Sequence, residues 1–383
     1  MRRMEKVRLT DICDFQGGSQ PPKDEWLFEK QEGYIRMLQI RDFTQSEKVV
    51  PEYVKISKST KICQADDILI ARYGASIGKI LTGLSGAYNV AIMRAIPDTH
   101  MLQKKYLYYY LKSPYFQTAI LNVGSRAAQA GFNKEDLSKL EIKCPLLSEQ
   151  DSIIDILQKV ESIIGKRKKE LIFLGELVKA RFVEMFGTLH DNENGFDIVT
   201  IEDVCSLIKD GTHQTPQYTE DKKEGYKFLS SKDVMSQKVD WTNIKYIPAE
   251  LHEKLYATIK PQRNDILMSK NGVNYGVAAV NDTDEVFDIY VSLALLRPKK
   301  IIDPVFLKCV INNPETKWQF DSSIKGIGVP NLHLGEIKKT RMFLPPIELQ
   351  NQFADFVRAI DKSKVSLYYK NRKGGFSAII VYI

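Results

Sequence analysis

The sequence predicts an α+β protein: two similar mixed α/β globular domains, each followed by a long helix, the helices pairing as an antiparallel coiled-coil spacer. Three observations predict it. The chain repeats itself once at long range, each copy carries short β-type runs mixed with helical stretches, and each copy closes on a heptad pattern. With 383 residues, 43% of them hydrophobic, the length alone allows two to three domains at about 100 to 200 residues each. The repeat selects two.

The repeat is ordered along most of the chain. Val7-Arg8-Leu9-Thr10-Asp11-Ile12-Cys13 returns 192 positions later as Val199-Thr200-Ile201-Glu202-Asp203-Val204-Cys205. Asp67-Ile68-Leu69, with Gly74 and Gly78, returns 198 later as Asp265-Ile266-Leu267, with Gly272 and Gly276. Pro145 with Gln150 returns 200 later as Pro345 with Gln350. A solenoid would repeat every 20 to 50 residues, roughly, so this is a duplicated domain, and it suggests a target with two similar halves. The expected segments are a first globule over 1–147, a heptad helix over 148–187, a second globule over 188–347, a second helix over 348–373 and an apolar tail over 374–383.

Each copy opens with a short amphipathic segment and a loop of turn formers, Gly17-Gly18-Ser19-Gln20-Pro21-Pro22 in the first and Asp210-Gly211-Thr212-His213-Gln214-Thr215-Pro216 in the second. β-type runs follow, such as Tyr34 to Ile40 and Asp67 to Ala71. Lys104 to Leu111 and Pro304 to Ile311 read as helices ending at turns on Pro114 and Pro314. Between the copies, Ile153, Leu157, Val160, Ile164, Leu171, Leu174, Val178 and Met185 step alternately by four and three, with Arg167 and Arg181 filling the gaps. That is a heptad seam, and about 35 residues of helix make a rod about 50 Å long. The second copy starts the same seam with Phe353, Val357, Ile360, Lys364 and Leu367, then meets Gly374-Gly375, which breaks a helix. The second helix is therefore expected to be truncated, leaving apolar positions of the first uncovered and free for self-association.

A net charge of +7, from 55 Lys and Arg against 48 Asp and Glu, fits a polyanion partner without demanding one. The five cysteines show no metal-ligand spacing, and Cys13 and Cys205, at equivalent positions in apolar strings, read as buried thiols. No charged-then-apolar leader and no 18-residue apolar run is present, so a soluble cytoplasmic protein without membrane contact is expected.

Catalytic motifs are missing. Gly74 to Lys79 resembles a phosphate loop but is one residue short, and Ile80 stands where a magnesium-binding hydroxyl belongs. None of the five histidines has zinc spacing, Asn313-Pro314 continues with Glu315-Thr316 rather than as an amino-methyltransferase motif, and no Gly-x-Ser-x-Gly elbow occurs. Matching loops of the copies do share basic, amide and aromatic residues: Ser19, Gln20, Lys23, Arg72, Tyr73, Ser76, Lys79, Arg126, Gln129 and Asn133 in the first; Thr212, His213, Gln214, Lys270, Asn271, Asn274, Tyr275, Lys325, Asn331 and His333 in the second. Such side chains read base edges and hold phosphates, and they are also ordinary residues of solvated turns. On the residues alone, a single-chain DNA-modifying enzyme with an unrecognised site and a protein-binding scaffold stay open as alternatives.

The ordered motifs carry a resemblance. Two copies of an Asp-Ile-Leu strand before Gly-x-x-x-Gly, each ending in Leu137-Ser138-Lys139-Leu140 with Pro145 to Gln150, or Ile337 with Pro345 to Gln350, resemble the specificity subunit of type I restriction-modification systems, over roughly residues 7 to 370. The resemblance implies a non-catalytic subunit with two target recognition domains, each reading one half of a split double-stranded DNA site. Its helices would set the gap, about 15 base pairs for a rod of that length at about 3.4 Å each, and would dock two methyltransferase subunits and, with them, restriction subunits. It implies that this chain binds no cofactor, with S-adenosylmethionine, ATP and magnesium on the partner subunits, and that the modified adenine is flipped into a partner's pocket.

Overall fold

The computed structural model describes residues 6–124, 131–324 and 330–373, with side chains through residue 364. The chain divides into two compact units, one up to Lys168 together with the stretch from Tyr368, the other Lys169–Leu367. The division falls inside the first long helix, Leu147–Phe186, and not at its ends. The reason is packing: Ile154 and Leu157 are buried in the first core, Phe182 and Phe186 in the second.

In unit 1 the central sheet runs in spatial order Cys13–Gly17, Ile92–Pro97, Ile68–Ala71, Ile80–Leu81, every neighbour antiparallel. A second sheet orders Glu52–Lys55, Tyr34–Leu38, Gly86–Tyr88, Ile62–Cys63, with one parallel pair, Tyr34–Leu38 beside Gly86–Tyr88. Unit 2 repeats the central sheet as Cys205–Asp210, Leu293–Pro298, Ile266–Ser269, Ala278–Val280. Its second sheet keeps the parallel pair, Tyr226–Leu229 beside Phe287–Ile289, but has three strands. Beside Phe287–Ile289 lies the helix Ala249–Tyr256, whose His252 Nδ1 is 2.7 Å from Asp288 under a stacked Tyr226 ring. The mixed α/β architecture is the expected one.

Two buried devices recur. Asp67 binds Arg94 at 2.9 Å and Asp265 binds Arg297 at 2.8 Å, joining neighbouring strands of each central sheet. Gln150, fully buried, donates to the carbonyls of Met101 and Pro145 and accepts the amide of Gln103. Gln350 does the same with Ile301, Pro345 and Asp303. Each amide satisfies backbone groups that burial would otherwise leave unpaired, at the point where each long helix begins.

The helices Lys104–Lys112 and Pro304–Ile311 form as their patterns predict. The prolines after them do more than turn the chain: Pro114 and Pro314 start further helices, Pro114–Gly124 and Pro314–Ser323, in a first-turn position where proline's missing N–H costs nothing. Along the first long helix the seam residues Ile153, Val160, Ile164, Leu171, Leu174 and Val178 are half-buried and Leu157 is buried. Full burial also reaches Ile154, Phe182 and Phe186, one position off the seam, because both ends of the helix lie on globules. In unit 2, Phe182 and Phe186 sit 5.5 Å from Phe353 of the second long helix, Ile347–Lys373. Further along, Leu171 and Val178 line a cavity of about 620 Å³ with Val357 and Lys364, so these stretches run antiparallel. Phe353 and Val357 are buried and Ile360 half-buried, while the Leu367 side chain, Gly374-Gly375 and the tail lie outside the described residues. Among the described residues the second helix covers 27 residues and the first 40.

Candidate nucleic-acid interface

Strands Cys13–Gly17 and Ile68–Ala71 both run antiparallel to Ile92–Pro97, which lies between them, so their carboxyl ends leave the sheet at one edge. The candidate loops of unit 1 gather there. Gly18 N–H donates to Ile92, Ser19 N–H to Tyr88 and Arg72 N–H to Ala91. Tyr73 pairs with Gly131 in a β-bridge, and the Arg72 guanidinium donates to the carbonyls of Phe132 at 3.3 Å and Val90 at 3.4 Å. Its Cζ lies 5.0 Å from the Tyr73 ring centroid, and Tyr73 stays 39% exposed. The turn carrying Ser76 and the exposed Lys79 is pinned from below by Gln117, which donates to the Gly78 carbonyl at 2.9 Å. Gln20 is exposed beside Ser19.

Unit 2 builds the same edge with other residues. Gly211 N–H donates to Leu293, Lys270 N–H to Ser292 and Leu332 N–H to Lys270, and Asn271 bridges Asn331. Gly18 and Gly211 are the fixed points of the two edges. A Cβ on Gly18 would lie 2.1 Å from the Asn89 carbonyl oxygen, and one on Gly211 2.0 Å from that of Ile289, so no other residue fits either place. His213 and Gln214 are exposed after Thr212, whose hydroxyl accepts the Gln214 amide at 3.2 Å; His213 Nε2 is 3.3 Å from Asp210. Asn274, Asn331 and His333 are exposed.

Three expected base readers have other work. Lys270 is only 4% exposed and its ammonium sits 3.0 Å from the Asp210 carboxylate, because a buried cation is held where it is paired. Tyr275 is 9% exposed, with its hydroxyl on Asp321 and Lys317 Nζ 3.5 Å from its ring centroid. The Asn133 side-chain oxygen caps the helix Lys134–Leu137 by accepting the Asp136 amide at 3.0 Å. Lys23 is exposed in a short turn tied through Trp26 to the Pro21 carbonyl. Arg126, Gln129 and Lys325 lie outside the described residues. Among the described residues, no group of three or more His, Cys, Asp or Glu side chains is placed to hold a metal. Burial pushes the thiols of Cys13 and Cys205 up to about 12, so both are protonated at neutral pH.

A family model described as the type I restriction modification DNA specificity domain matches residues 1–172 and again 193–372. The chain belongs to the type I restriction modification DNA specificity domain family. Within such a system its role is to recognise DNA sequence, not to catalyse. It is 22% identical over 382 residues to the MjaVIII type I restriction enzyme specificity subunit of Methanocaldococcus jannaschii, covering 93% of this chain and 86% of that protein. It is 23% identical over 308 residues to the EcoBI specificity subunit of Escherichia coli, covering 71% of this chain and 64% of that protein. Among solved structures, a type I restriction-modification S subunit from M. genitalium superposes with a TM-score of 0.51 at 14% identity, covering 99% of this chain and 93% of that one. A chain from a structural study of complex assembly and conformational transition in the type I system gives 0.51 at 16% identity, covering 98% and 96%.

Each unit of this chain thus carries one loop edge. Sequence reasoning missed two residues of that edge. Asp210 was legible only as an acid standing where the first copy has Gly17, and Val273, 83% exposed at a turn tip, gave no signal beyond its place between Gly272 and Gly276.

Proposed function

We propose that each unit reads one half of a bipartite double-stranded DNA target, and that the long helices set the spacing and dock two methyltransferase subunits, with restriction subunits joining through them. The observation that supports this most is the doubled edge: equivalent strand ends bring equivalent loops together in both units, while the side chains they present differ. Two readers of one kind, facing different sequences, need that arrangement. Exposed Ile172, Phe173 and Leu177 on the first long helix supply an apolar face for partner docking. Because Gly374-Gly375 stand where the first copy continues its seam, self-association through that face is a second reading, and light scattering at rising concentration tests it: a mass that stays that of one chain removes it.

S-adenosylmethionine, ATP and magnesium belong, on this reading, to the partner subunits in the cytoplasm, where the adenine to be modified is flipped from the stack into a methyltransferase pocket. Affinity falls steeply with salt as phosphate contacts release counterions. Genome-wide mapping of methylated adenines in a host carrying the chain with its methyltransferase subunit tests the proposal. A split motif with a fixed gap is expected, and a continuous motif would refute it.

A further inference from the structure

The turn from Lys270 to Val277 in unit 2 is held from several sides. Ser269, fully buried, donates its hydroxyl to the Asn274 carbonyl at 2.8 Å and accepts the Val277 amide at 3.0 Å. Gly276 N–H donates to the Ser269 carbonyl at 2.7 Å, and from the neighbouring loop Pro330 accepts the Gly272 amide at 2.9 Å. Gly272 and Gly276 have φ of +83° and +85°, a backbone that a side chain would strain. Tyr275 is anchored by Asp321 and Lys317. A turn so fixed presents two side chains outward: Val273, 83% exposed, and exposed Asn274. Single exposed apolar residues are ordinary on loose loops. This loop is rigid, and it stands on the edge where the reading loops gather.

We infer that Val273 is a specificity-determining residue that packs on the C5-methyl of a thymine in the half-site read by unit 2, with Asn274 beside it directed at an adenine edge. Thymine's methyl is the apolar group that the major groove offers, and Asn is the side chain whose amide matches adenine N6 and N7. Valine's branched side chain has few rotamers to lose on contact, and the bolted turn places it before DNA arrives. The corresponding positions of unit 1 are Ala75 and Ser76, so the contact of a branched side chain belongs to one half-site alone. The inference rests on the DNA-recognition reading of the chain.

The test uses the complex assembled with its methyltransferase subunits and duplexes carrying the mapped target, each thymine replaced in turn by deoxyuridine. One thymine, in the half whose recognition Asn274→Ala relaxes, loses about fourfold in methylation rate without its methyl, the worth of one buried methyl group. Val273→Ala brings thymine and deoxyuridine at that position to parity. The inference is overturned if every thymine tolerates the replacement, if the sensitive thymine stays equally sensitive in Val273→Ala, or if Val273→Ala slows all duplexes alike and weakens retention of the methyltransferase on gel filtration, which would place the turn against a protein. A wild-type complex that methylates without sequence preference would overturn the recognition reading, and the inference with it.

Discussion

Gly17 and Asp210 stand at the same corner of the two units, each just before the glycine that no other residue can replace, and the chain solves that corner in two ways. A Cβ on Gly17 would lie 3.4 Å from Arg72 Nη1, so the bare glycine leaves the guanidinium room to reach the carbonyls of Phe132 and Val90. In unit 2 an aspartate occupies the corner, and the matching cation, Lys270, folds down onto it. Beneath the edge little changes: Gln150 and Gln350 close the same backbone groups, and Arg94 and Arg297 bind the same strand aspartates. At the helix entries and the strand aspartates both units keep the same side chains. At the loop edge each unit has its own.

The floors of the units differ as well. Unit 2 packs Phe182 and Phe186 against Phe306 and Phe353, with ring centroids between 5.0 and 6.3 Å. In unit 1 the helix Lys104–Lys112 offers Tyr106, Tyr109 and Tyr110 instead, whose hydroxyls donate to the Lys143 carbonyl, the Glu161 carboxylate and the Glu141 carbonyl. An apolar floor and a hydrogen-bonded one support the same sheet, so the floor is held by volume in one unit and by partners in the other.

This contrast can be broken by substitution. Phe306→Ala is expected to cost about 4 kcal/mol, because it opens a cavity in the aromatic cluster, whereas Tyr106→Phe in unit 1 costs about 1 kcal/mol for one lost hydrogen bond; denaturant unfolding of each variant reads both. Gln150→Leu and Gln350→Leu are expected to cost about 3 kcal/mol each, since each strands several buried backbone groups, and unequal losses would show that the two helix entries are not equivalent. Asp210→Asn should cost about 2 kcal/mol by leaving the Lys270 ammonium buried without its counter-charge. Adding Lys270→Met to it should recover most of that loss, which a double-mutant cycle measures.

The smallest effect concerns a place where the units agree. Cys13 and Cys205 are both pushed up to about 12 by burial, against an ordinary 9.0. An unfolded chain ionises these thiols first, so their contribution to stability is full below about 9 and declines as pH rises from there towards about 12. At pH 8 both should resist alkylation in the folded protein and react once it is denatured, as mass spectrometry would show.

Much of the frame was legible because it repeats. The Asp67 and Asp265 strands, the Pro-to-Gln helix entries and the heptad steps each leave a periodic or paired mark that survives when the rest of the sequence drifts. The loop edge was half legible. Loop composition marks Arg72, Tyr73, Asn274 and His213 as available to a ligand, but it cannot show that Lys270 and Tyr275 turn inward or that Asn133 caps a helix, since those depend on partners far along the chain such as Asp210 and Asp321. The helices begun by Pro114 and Pro314 were hidden for a related reason: proline marks a helix start as readily as a turn. Phe182 and Phe186 lie off the heptad because the globule, not the partner helix alone, decides which face is buried.

The central claim is that one frame carries two independent readers. Adenine methylation mapped across a genome for the wild-type complex and for Arg72→Ala and Asn274→Ala tests it most directly. Each substitution is expected to relax a different half of the split motif and to leave the other half and the gap unchanged; relaxation of the same half by both, or of both halves by either, would contradict two independent readers.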